Sequence, residues 1–405
     1  MWKPRSLIFN DLYKFTMQNV ALKLFPNERV KYRLFIRKPR EFEDNFIRRL
    51  RDAIDRHNIL SLTKSEFEFV RENCPFFDHV YLDYLKNYRY DPSEVTVGQS
   101  SKNEIFLDID GLWHRTLPWE VTLMHTISEL YFESYPIPER SILKEINVSK
   151  AKRYLENEIS LYDMGTRRAH SFENHCNVLE DFLSVPNMRD SLKGTSNVYL
   201  AMTLGLKPIG TKAHEFYSMM AAIYGFIHAN TAAMEKWYEV YKGALAIELP
   251  DTFTTDAFLH SFNYKWAKLS DGVRQDSASP FDFATKFIQH YNILGINHKT
   301  KNLFFSDSLN DKKAIDIDKW LFSTYGRKGD FGVGTAISND IPGIEPLNMV
   351  IKLVGRYYGQ FFVPTVKISD DVGKNTGDQG MVKLCRDTFA NYAQYLQPSE
   401  KVFSR

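Results

Sequence analysis

Between Leu161 and Phe216 the chain sets three short polar clusters at the ends of apolar runs. They are Asp163-Met-Gly-Thr-Arg167-Arg168, Gly194-Thr195-Ser196-Asn197 and Gly210-Thr-Lys-Ala-His214-Glu215. Glycine frees the backbone in each, and Thr, Ser, Arg and His supply polar groups. In α/β proteins ligands bind at such junctions, beyond the carboxyl ends of strands. Three in succession restrict the segment to alternating strands and helices and predict one concave site lined by consecutive strand ends.

The alternation extends further. From about Ala151, short apolar runs at 159–163, 197–204 with Pro208-Ile209, 244–249, Val273, 303–305, 331–334 and 349–354 read as strands. Helices are expected near 174–185 and over 214–241. Units of this length predict a parallel α/β sheet or barrel. Before 151 the pattern is a mixed α/β lobe. It holds a helix over 9–25 capped by Asn10, a strand over 31–37, helices over 41–57 and 63–73, a strand over 105–109 and a helix over 119–134. The tail after about 355, with Gly355, Gly359, Pro364, Gly373 and Gly377, is expected to be loop-rich and to fold back on that lobe. The expected domains are therefore 1–150 joined by 355–405, and 151–354.

A chain of 405 residues is long enough for two domains, or for a barrel with an added lobe. Its net charge of +2 gives no reason to expect nucleic acid or an anionic membrane surface as partner. Cys74, Cys176 and Cys385 are far apart, without metal-ligand spacing or a pairing pattern, which fits a reducing compartment. Met1-Trp2-Lys3-Pro4-Arg5 lacks an apolar leader core, and no window reaches the roughly 18 apolar residues of a membrane span. A cytoplasmic protein is the expectation.

Four constellations carry chemistry. Asp163-Met-Gly165-Thr166-Arg167-Arg168 offers guanidinium forks for a carboxylate or phosphate, or simply starts a helix with surface arginines. Phe331-Gly332-Val333-Gly334-Thr335 suits a phosphate nest of backbone N–H groups, with Ser306 and Asp307 one unit earlier as its wall, or a plain turn. Arg274 and Asp276 point to one side of a strand end, with Asp251 one unit before. That set suits a polyphosphorylated sugar with Mg²⁺, or a structural ion-pair network. His214 begins a helix beside Glu215, whose carboxylate is placed to orient the ring for nucleophilic or acid–base work; a structural histidine is the other reading.

Taken in order along nearly the whole chain, these segments resemble the nicotinate phosphoribosyltransferase family. The motifs are Asn10-Asp-Leu-Tyr13-Lys-Phe-Thr16-Met-Gln18, Pro75-Phe-Phe77 with Tyr81-Leu82, Trp119-Glu120 with Ile127-Ser128-Glu129, and Asp163 to Arg168. Gly194 to Asn197, Gly210 to Glu215, Asp251-Thr252 and Val273 to Ser277 follow. Phe305-Ser-Asp307, Phe331 to Thr335, Val350 to Leu353, Val366-Lys-Ile-Ser-Asp370 and Gly373-Lys374 complete the set. No one motif decides the matter, but the ordered set is specific.

The resemblance implies an irregular, TIM-like α/β barrel joined to a lobe built from both chain ends. It implies transfer of phosphoribosyl from phosphoribosyl pyrophosphate to nicotinate, coupled to hydrolysis of ATP with Mg²⁺, in a homodimer with shared sites. His214 would be the phosphorylated histidine. Asp276 and Asp251 would hold ribose hydroxyls or Mg²⁺. Arg274 and Arg167 would contact the nicotinate carboxylate or phosphates. Tyr13, of the same subunit or its partner, would stack on the pyridine ring. Gly332, Gly334 and Thr335, with Ser306 and Asp307, would hold the 5′-phosphate. Asp163, Thr166, Thr195, Ser196 and Glu215 complete the expected substrate-binding set. One departure stands out. Where the family pattern leads to Gly-Asp-Pro after Ser277, this chain has Ala278-Ser279-Pro280, losing a carboxylate that Asp282 is positioned in sequence to replace.

Overall fold

A computed structural model describes residues 2–101, 104–371 and 375–395. Gly373 and Lys374 lie outside the described residues. Strands run Arg29–Ile36 (β1), Val95–Ser101 (β2), Glu104–Leu112 (β3), Ser160–Asp163 (β4), Leu192–Thr195 (β5) and Ile247–Glu248 (β6). They continue with Gly272–Gln275 (β7), Asn302–Phe305 (β8), Asp330–Val333 (β9), Met349–Tyr358 (β10) and Phe361–Pro364 (β11). The chain divides into two compact units, Met1–Lys212 with Asn302–Leu353, and Ala213–Lys301 with Val354–Arg405.

In the first unit β1, β3 and β2 form antiparallel pairs, with Val30 opposite Gly111 and Tyr32 opposite Ile109. Alternation decides the faces. Ile105, Leu107 and Ile109 are buried along with Val30, Tyr32 and Leu34, while Asp108 faces out to Arg33 at 2.8 Å and Lys31 at 2.9 Å. Each inward aliphatic side chain contributes about 1.5–3 kcal/mol by leaving water. The helix Trp119–Phe132 is buried on nearly every side, so its polar side chains are buried too and take backbone partners: Thr122 donates to the Pro118 carbonyl, Thr126 to that of Thr122 and Ser128 to that of Ala169. The helix Lys64–Asn73 begins with a capping box between Thr63 and Glu66.

The same unit carries a parallel sheet in which β4 pairs with β5 on one side and β9 on the other, and β9 pairs with β8. Its registers align strand ends, placing Asp163 opposite both Thr195 and Val333. The parallel α/β architecture read from the sequence is therefore present. Within this unit the pairing is open, in the order β5, β4, β9, β8, without closure into a barrel among the described residues.

The second unit holds the parallel pair β6–β7 and, at its end, an antiparallel hairpin in which Tyr358 faces Phe361 across Gly359. The helix Gln379–Tyr395 follows, so the tail is structured rather than loop-rich. Among the described residues, no helix is long and apolar enough to cross a membrane.

Three local expectations change. The first helix starts at Leu12, not at 9, and Asn10 is not its cap. The Asn10 side chain is buried and donates to the Pro118 carbonyl at 2.8 Å. The apolar run 197–204 is a helix, Val198–Leu204, because the Asn197 side chain accepts from the Leu200 amide at 3.0 Å; the strand lies earlier, at β5. The long helix expected over 214–241 is two, His214–Tyr224 and Ala229–Tyr241, broken where Gly225 takes φ +85°. The strand β2 and the helices His79–Asn87 and Arg140–Glu156 had no clear sequence signal.

Candidate active site

The first unit gathers five of the expected residues at the ends of β4 and β5 and the turns that follow. Asp163 is fully buried and its carboxylate is saturated. It accepts from His175 Nε2 at 3.0 Å on both oxygens, from Thr195 Oγ1 at 2.6 Å and from the Gly165 amide at 3.0 Å. Ser196 Oγ donates to Asp11 at 2.8 Å, and the Ser196 carbonyl receives the Leu12 amide at 2.8 Å. Thr166 Oγ1 accepts from Asn197 at 3.2 Å, and the Thr166 carbonyl pairs with His125 Nδ1 at 3.1 Å. Burial raises the Asp11 pKa above the usual carboxylate value, against the pull of Arg167. Asp163 and Thr195 fix the shape of two strand-end turns.

The exposed chemistry of this unit lies beside them. Arg167 keeps 43% of its side chain accessible, 3.7 Å from Glu120, which also pairs with the buried Lys14. Tyr13 lies 5.2 Å below the Lys14 ammonium, and burial together with the Glu120 charge pushes its phenol pKa up. An aromatic ring and a partly accessible guanidinium stand beside one carboxylate here, groups that can stack on and pair with a flat anion.

Ser306 and Asp307 follow β8, and Gly334 and Thr335 follow β9, the neighbouring parallel strand. All four are partly accessible. Gly332 is different. It is buried within β9, where an added Cβ would meet Met164 Sδ at 2.6 Å and Phe304 at 2.7 Å. Its glycine leaves room for those two side chains.

The second unit centres on His214, at the first position of its helix. Nδ1 lies 2.9 Å from Thr252 Oγ1, and Nε2 lies 3.0 Å from Asp276 Oδ2 and 3.5 Å from Asp251 Oδ1. The ring is thus oriented by Thr252 and Asp276, and Glu215 is not among its partners. The helix start and the loops after two neighbouring parallel strands converge on the ring. Thr252 and Asp251 follow β6, and Asp276 follows β7. Ser277 Oγ donates to Asp251 Oδ2 at 2.7 Å, and Arg274 lies 3.5 Å from Asp276.

Lys367 was not singled out from sequence. Its Nζ is 2.9 Å from His214 Nε2 and 3.2 Å from Asp251 Oδ2. The signal available was its place inside Val366-Lys-Ile-Ser-Asp370, more than a hundred residues from the histidine it meets.

The charges are arranged against burial. Burial lowers the His214 pKa, outweighing Asp251 and Asp276, and so favours the uncharged imidazole. Burial opposes ionisation of Asp276, but Arg274 and then His214 hold its carboxyl well below the usual range. Asp251 is likewise depressed, through His214 and Lys367. Two buried atoms of this cluster have no hydrogen-bond partner among the described residues, Asp251 Oδ1 and Arg274 Nε. Buried polar groups are normally satisfied, so both atoms have capacity for a ligand or an ordered water.

Ala278 and Ser279 fit the departure from the family pattern. Ala278 adopts φ +59°, the left-handed region that favours glycine. Ser279 caps the helix Pro280–Ile293 by accepting from the Asp282 amide, as an aspartate would. Asp282 itself is exposed in the first helical turn and does not enter the cluster.

Comparison with known proteins agrees in extent and order. Residues 159–393 match the model of the Nicotinate phosphoribosyltransferase (NAPRTase) family, and residues 8–128 match that of its N-terminal domain. The nicotinate phosphoribosyltransferase of Chromohalobacter salexigens is 41% identical over 388 residues, covering 95% of this chain and 98% of its own. That of Methanococcoides burtonii is 39% identical, covering 95% and 97%. Among solved structures, nicotinate phosphoribosyltransferase from Porphyromonas gingivalis superposes with a TM-score of 0.92 at 36% identity, covering 96% of this chain and 100% of its own. The Vibrio cholerae enzyme gives 0.86 at 29% identity, covering 96% and 97%.

Proposed function

The chain belongs to the nicotinate phosphoribosyltransferase family, and from that premise we propose that it joins nicotinate to phosphoribosyl pyrophosphate with ATP hydrolysis coupled through a phosphohistidine at His214. In the transfer, the bond from ribose C1 to the pyrophosphate oxygen breaks and its electron pair leaves with pyrophosphate. The pyridine nitrogen lone pair forms the new bond to C1, giving nicotinate mononucleotide. The transition state resembles an oxocarbenium ion, so the protein's work is positioning and charge stabilisation.

The observation that carries this reading is the pair of unsatisfied buried atoms beside His214. Arg274 Nε donates and Asp251 Oδ1 accepts, which suits a ligand with both anionic oxygens and hydroxyls, as a phosphorylated ribose has. Asp276 and Asp251 would hold ribose hydroxyls. Arg274 would meet phosphate, and Arg167 with Tyr13 would take the nicotinate carboxylate and ring. Gly334, Thr335, Ser306 and Asp307 would receive the 5′-phosphate.

The donor set also fits Mg²⁺, a hard cation that takes carboxylate oxygens and keeps much of its water. Asp251 Oδ1 is a buried carboxylate oxygen without a partner among the described residues, and Asp251, Asp276 and His214 each offer a possible ligand atom, all within 4.8 Å of one another. The two carboxylates would hold the ion, which would neutralise phosphate charge. A cytoplasmic homodimer with shared sites belongs to the same proposal.

For the coupling, the Nε2 lone pair of His214 would form a bond to the γ-phosphorus of ATP. The bond from that phosphorus to the bridging oxygen would break, with ADP taking the electron pair. The added charge would favour the substrate-binding form of the site, which couples the reactions only if the two forms differ in affinity.

The test is formation of nicotinate mononucleotide from nicotinate and phosphoribosyl pyrophosphate, with and without MgATP, by wild type and His214→Ala. The expected result is product from wild type, increased by ATP, with that increase lost in the variant. No product under any condition, with nicotinate still bound, would overturn the reading in favour of a binding protein.

A further inference from the structure

Lys367 sits in a motif to which the proposed reaction assigns nothing. The segment from Val366 to Asp371 straps the loops of the second unit's cluster together. Ser218 Oγ donates to the Val366 carbonyl at 3.0 Å, and the Ile368 amide donates to the Thr252 carbonyl at 3.0 Å. Asp370 accepts from the Thr255 amide at 2.9 Å and its hydroxyl at 2.6 Å, while Asp371 accepts from the Ala278 amide at 3.1 Å. The backbone of Lys367 itself is paired in both directions with Thr376, at 2.9 and 2.8 Å. Its side chain is 14% accessible, so the ammonium is delivered to one place by a fixed backbone.

That place is informative because Asp251 alone would satisfy a lysine. An ammonium has three donors and no acceptor, so its 2.9 Å approach to His214 Nε2 uses the nitrogen's lone pair, in competition with the Asp276 carboxylate at 3.0 Å, which would take a hydrogen from the same atom; the lysine contact is the one that selects the lone-pair form. The ring hydrogen then sits on Nδ1, facing Thr252 Oγ1 at 2.9 Å. This is the tautomer in which Nε2 is a nucleophile. A phosphoryl group placed there would stand against two carboxylates, Asp276 at 3.0 Å and Asp251 at 3.5 Å. Like charges at that distance repel strongly in a buried site, so the product of the transfer needs a cation at the same point.

We propose that Lys367 is the phosphoryl-binding residue of this site, presenting Nε2 in its lone-pair form before transfer and pairing with the phosphoryl oxygens afterwards. The inference rests on the reading that His214 accepts the γ-phosphoryl group of ATP. In the step, Nε2 gains the bond to phosphorus, ADP leaves with the electron pair of the broken bond, and Nδ1 keeps its hydrogen. A phosphoryl oxygen is two bonds from Nε2, within reach of a group already 2.9 Å away.

The experiment uses the full chain with γ-³²P-labelled MgATP and measures the rate of acid-labile, base-stable labelling and the lifetime of the label after ATP is removed. Wild type, His214→Ala, Lys367→Met, Lys367→Gln and Lys367→Arg are compared, with thermal unfolding to identify folded variants. Wild type is expected to label and His214→Ala not to. Removing the charge at 367 should slow labelling by roughly 10²-fold, the cost of losing one donor to a developing anion, and shorten the lifetime of any label formed. Lys367→Arg should recover much of both. Glutamine, which keeps a donor without charge, carries the test if methionine does not fold. An unlabelled wild type would sink the phosphohistidine reading. A labelled wild type matched in rate and lifetime by Lys367→Gln or Lys367→Met would leave that reading standing and overturn the role of Lys367.

Discussion

Two histidine–aspartate pairs sit in different units of this chain, and their surroundings make them opposites. Asp163 and His175 are both inaccessible, 3.0 Å apart, and the carboxylate is filled by a ring nitrogen, a hydroxyl and an amide. His214 and Asp276 are also 3.0 Å apart, yet they keep 17% and 29% of their side chains accessible. Around them stand a second carboxylate, Lys367 and Arg274, and the unmet atoms are a carboxylate oxygen and a guanidinium nitrogen, whereas beside Asp163 the carboxylate is filled and the unmet atom is the far ring nitrogen, His175 Nδ1. The residue pair alone says nothing about role. Saturation does: a carboxylate whose lone pairs are all taken by its own chain holds loops in place, and one left partly open awaits a ligand.

The sharpest way to break this contrast is to neutralise one carboxylate on each side. Asp276→Asn should lower kcat/KM about 10³-fold, a loss of roughly 4 kcal/mol in transition-state stabilisation, and should cost less stability than the matching change at Asp163. Steady-state kinetics beside urea unfolding would measure both. Asp163→Ala should do the reverse. It orphans His175 Nε2, the Thr195 hydroxyl and the Gly165 amide, and should cost about 3–5 kcal/mol of stability. Activity per folded molecule should fall far less than for Asp276→Asn. If Asp163→Ala were stable and inactive, Asp163 would belong to the chemistry after all.

Acid separates the regions by sign. Burial raises the Asp11 carboxyl above its unfolded value of 3.8, so the native state there binds the proton more tightly. Stability from this group is greatest at low pH and is lost as pH rises through the folded value. Asp251 and Asp276 are depressed below 3.8, so their contribution is present above that value and lost as pH falls below it. Asp11→Asn, which can still accept from Ser196, should therefore gain on wild type between pH 4 and pH 7 in urea unfolding. Asp276→Asn should lose on it over the same comparison from pH 3 to pH 4. A shared sign would mean that the two sites do not differ in the way their charges are balanced.

What the sequence made legible follows the same division. Parallel strands were readable because β4, β8 and β9 are short apolar runs ended by turn residues. Asp251, Arg274 and Asp276 were readable because each stands at or just past such an end, and His214 because it opens a helix after a glycine turn. The helix Val198–Leu204 was not, because periodicity cannot tell a short buried helix from a strand, and the deciding fact is one cap at Asn197. Asp163 was legible as a strand-end acid but not as a saturated one, since its partner His175 arrives from the next helix. Lys367 was hidden by distance along the chain, and Glu215 was credited with a ring that Thr252 and Asp276 hold. Sequence shows which groups reach a strand end; only packing shows which of them are already engaged.

The smallest effect is expected where the chain departs from its family. Ala278 pays for φ +59° by about 1–2 kcal/mol relative to glycine, but glycine also loses more freedom on folding, by roughly 0.5–1 kcal/mol. Ser279 already caps its helix, and serine and aspartate are near-equal caps. The double variant Ala278→Gly, Ser279→Asp should therefore raise the unfolding midpoint by no more than about 2–4 °C. Its kcat/KM for nicotinate should stay within about threefold of wild type, because the carboxylates beside His214 come from Asp251 and Asp276 and are already in place. A rate gain beyond about tenfold, more than 1.4 kcal/mol of barrier, would say otherwise. It would mean that an acid at 279 belongs to the open cluster, and that the wild-type chain keeps the pocket of a phosphoribosyltransferase while turning over poorly.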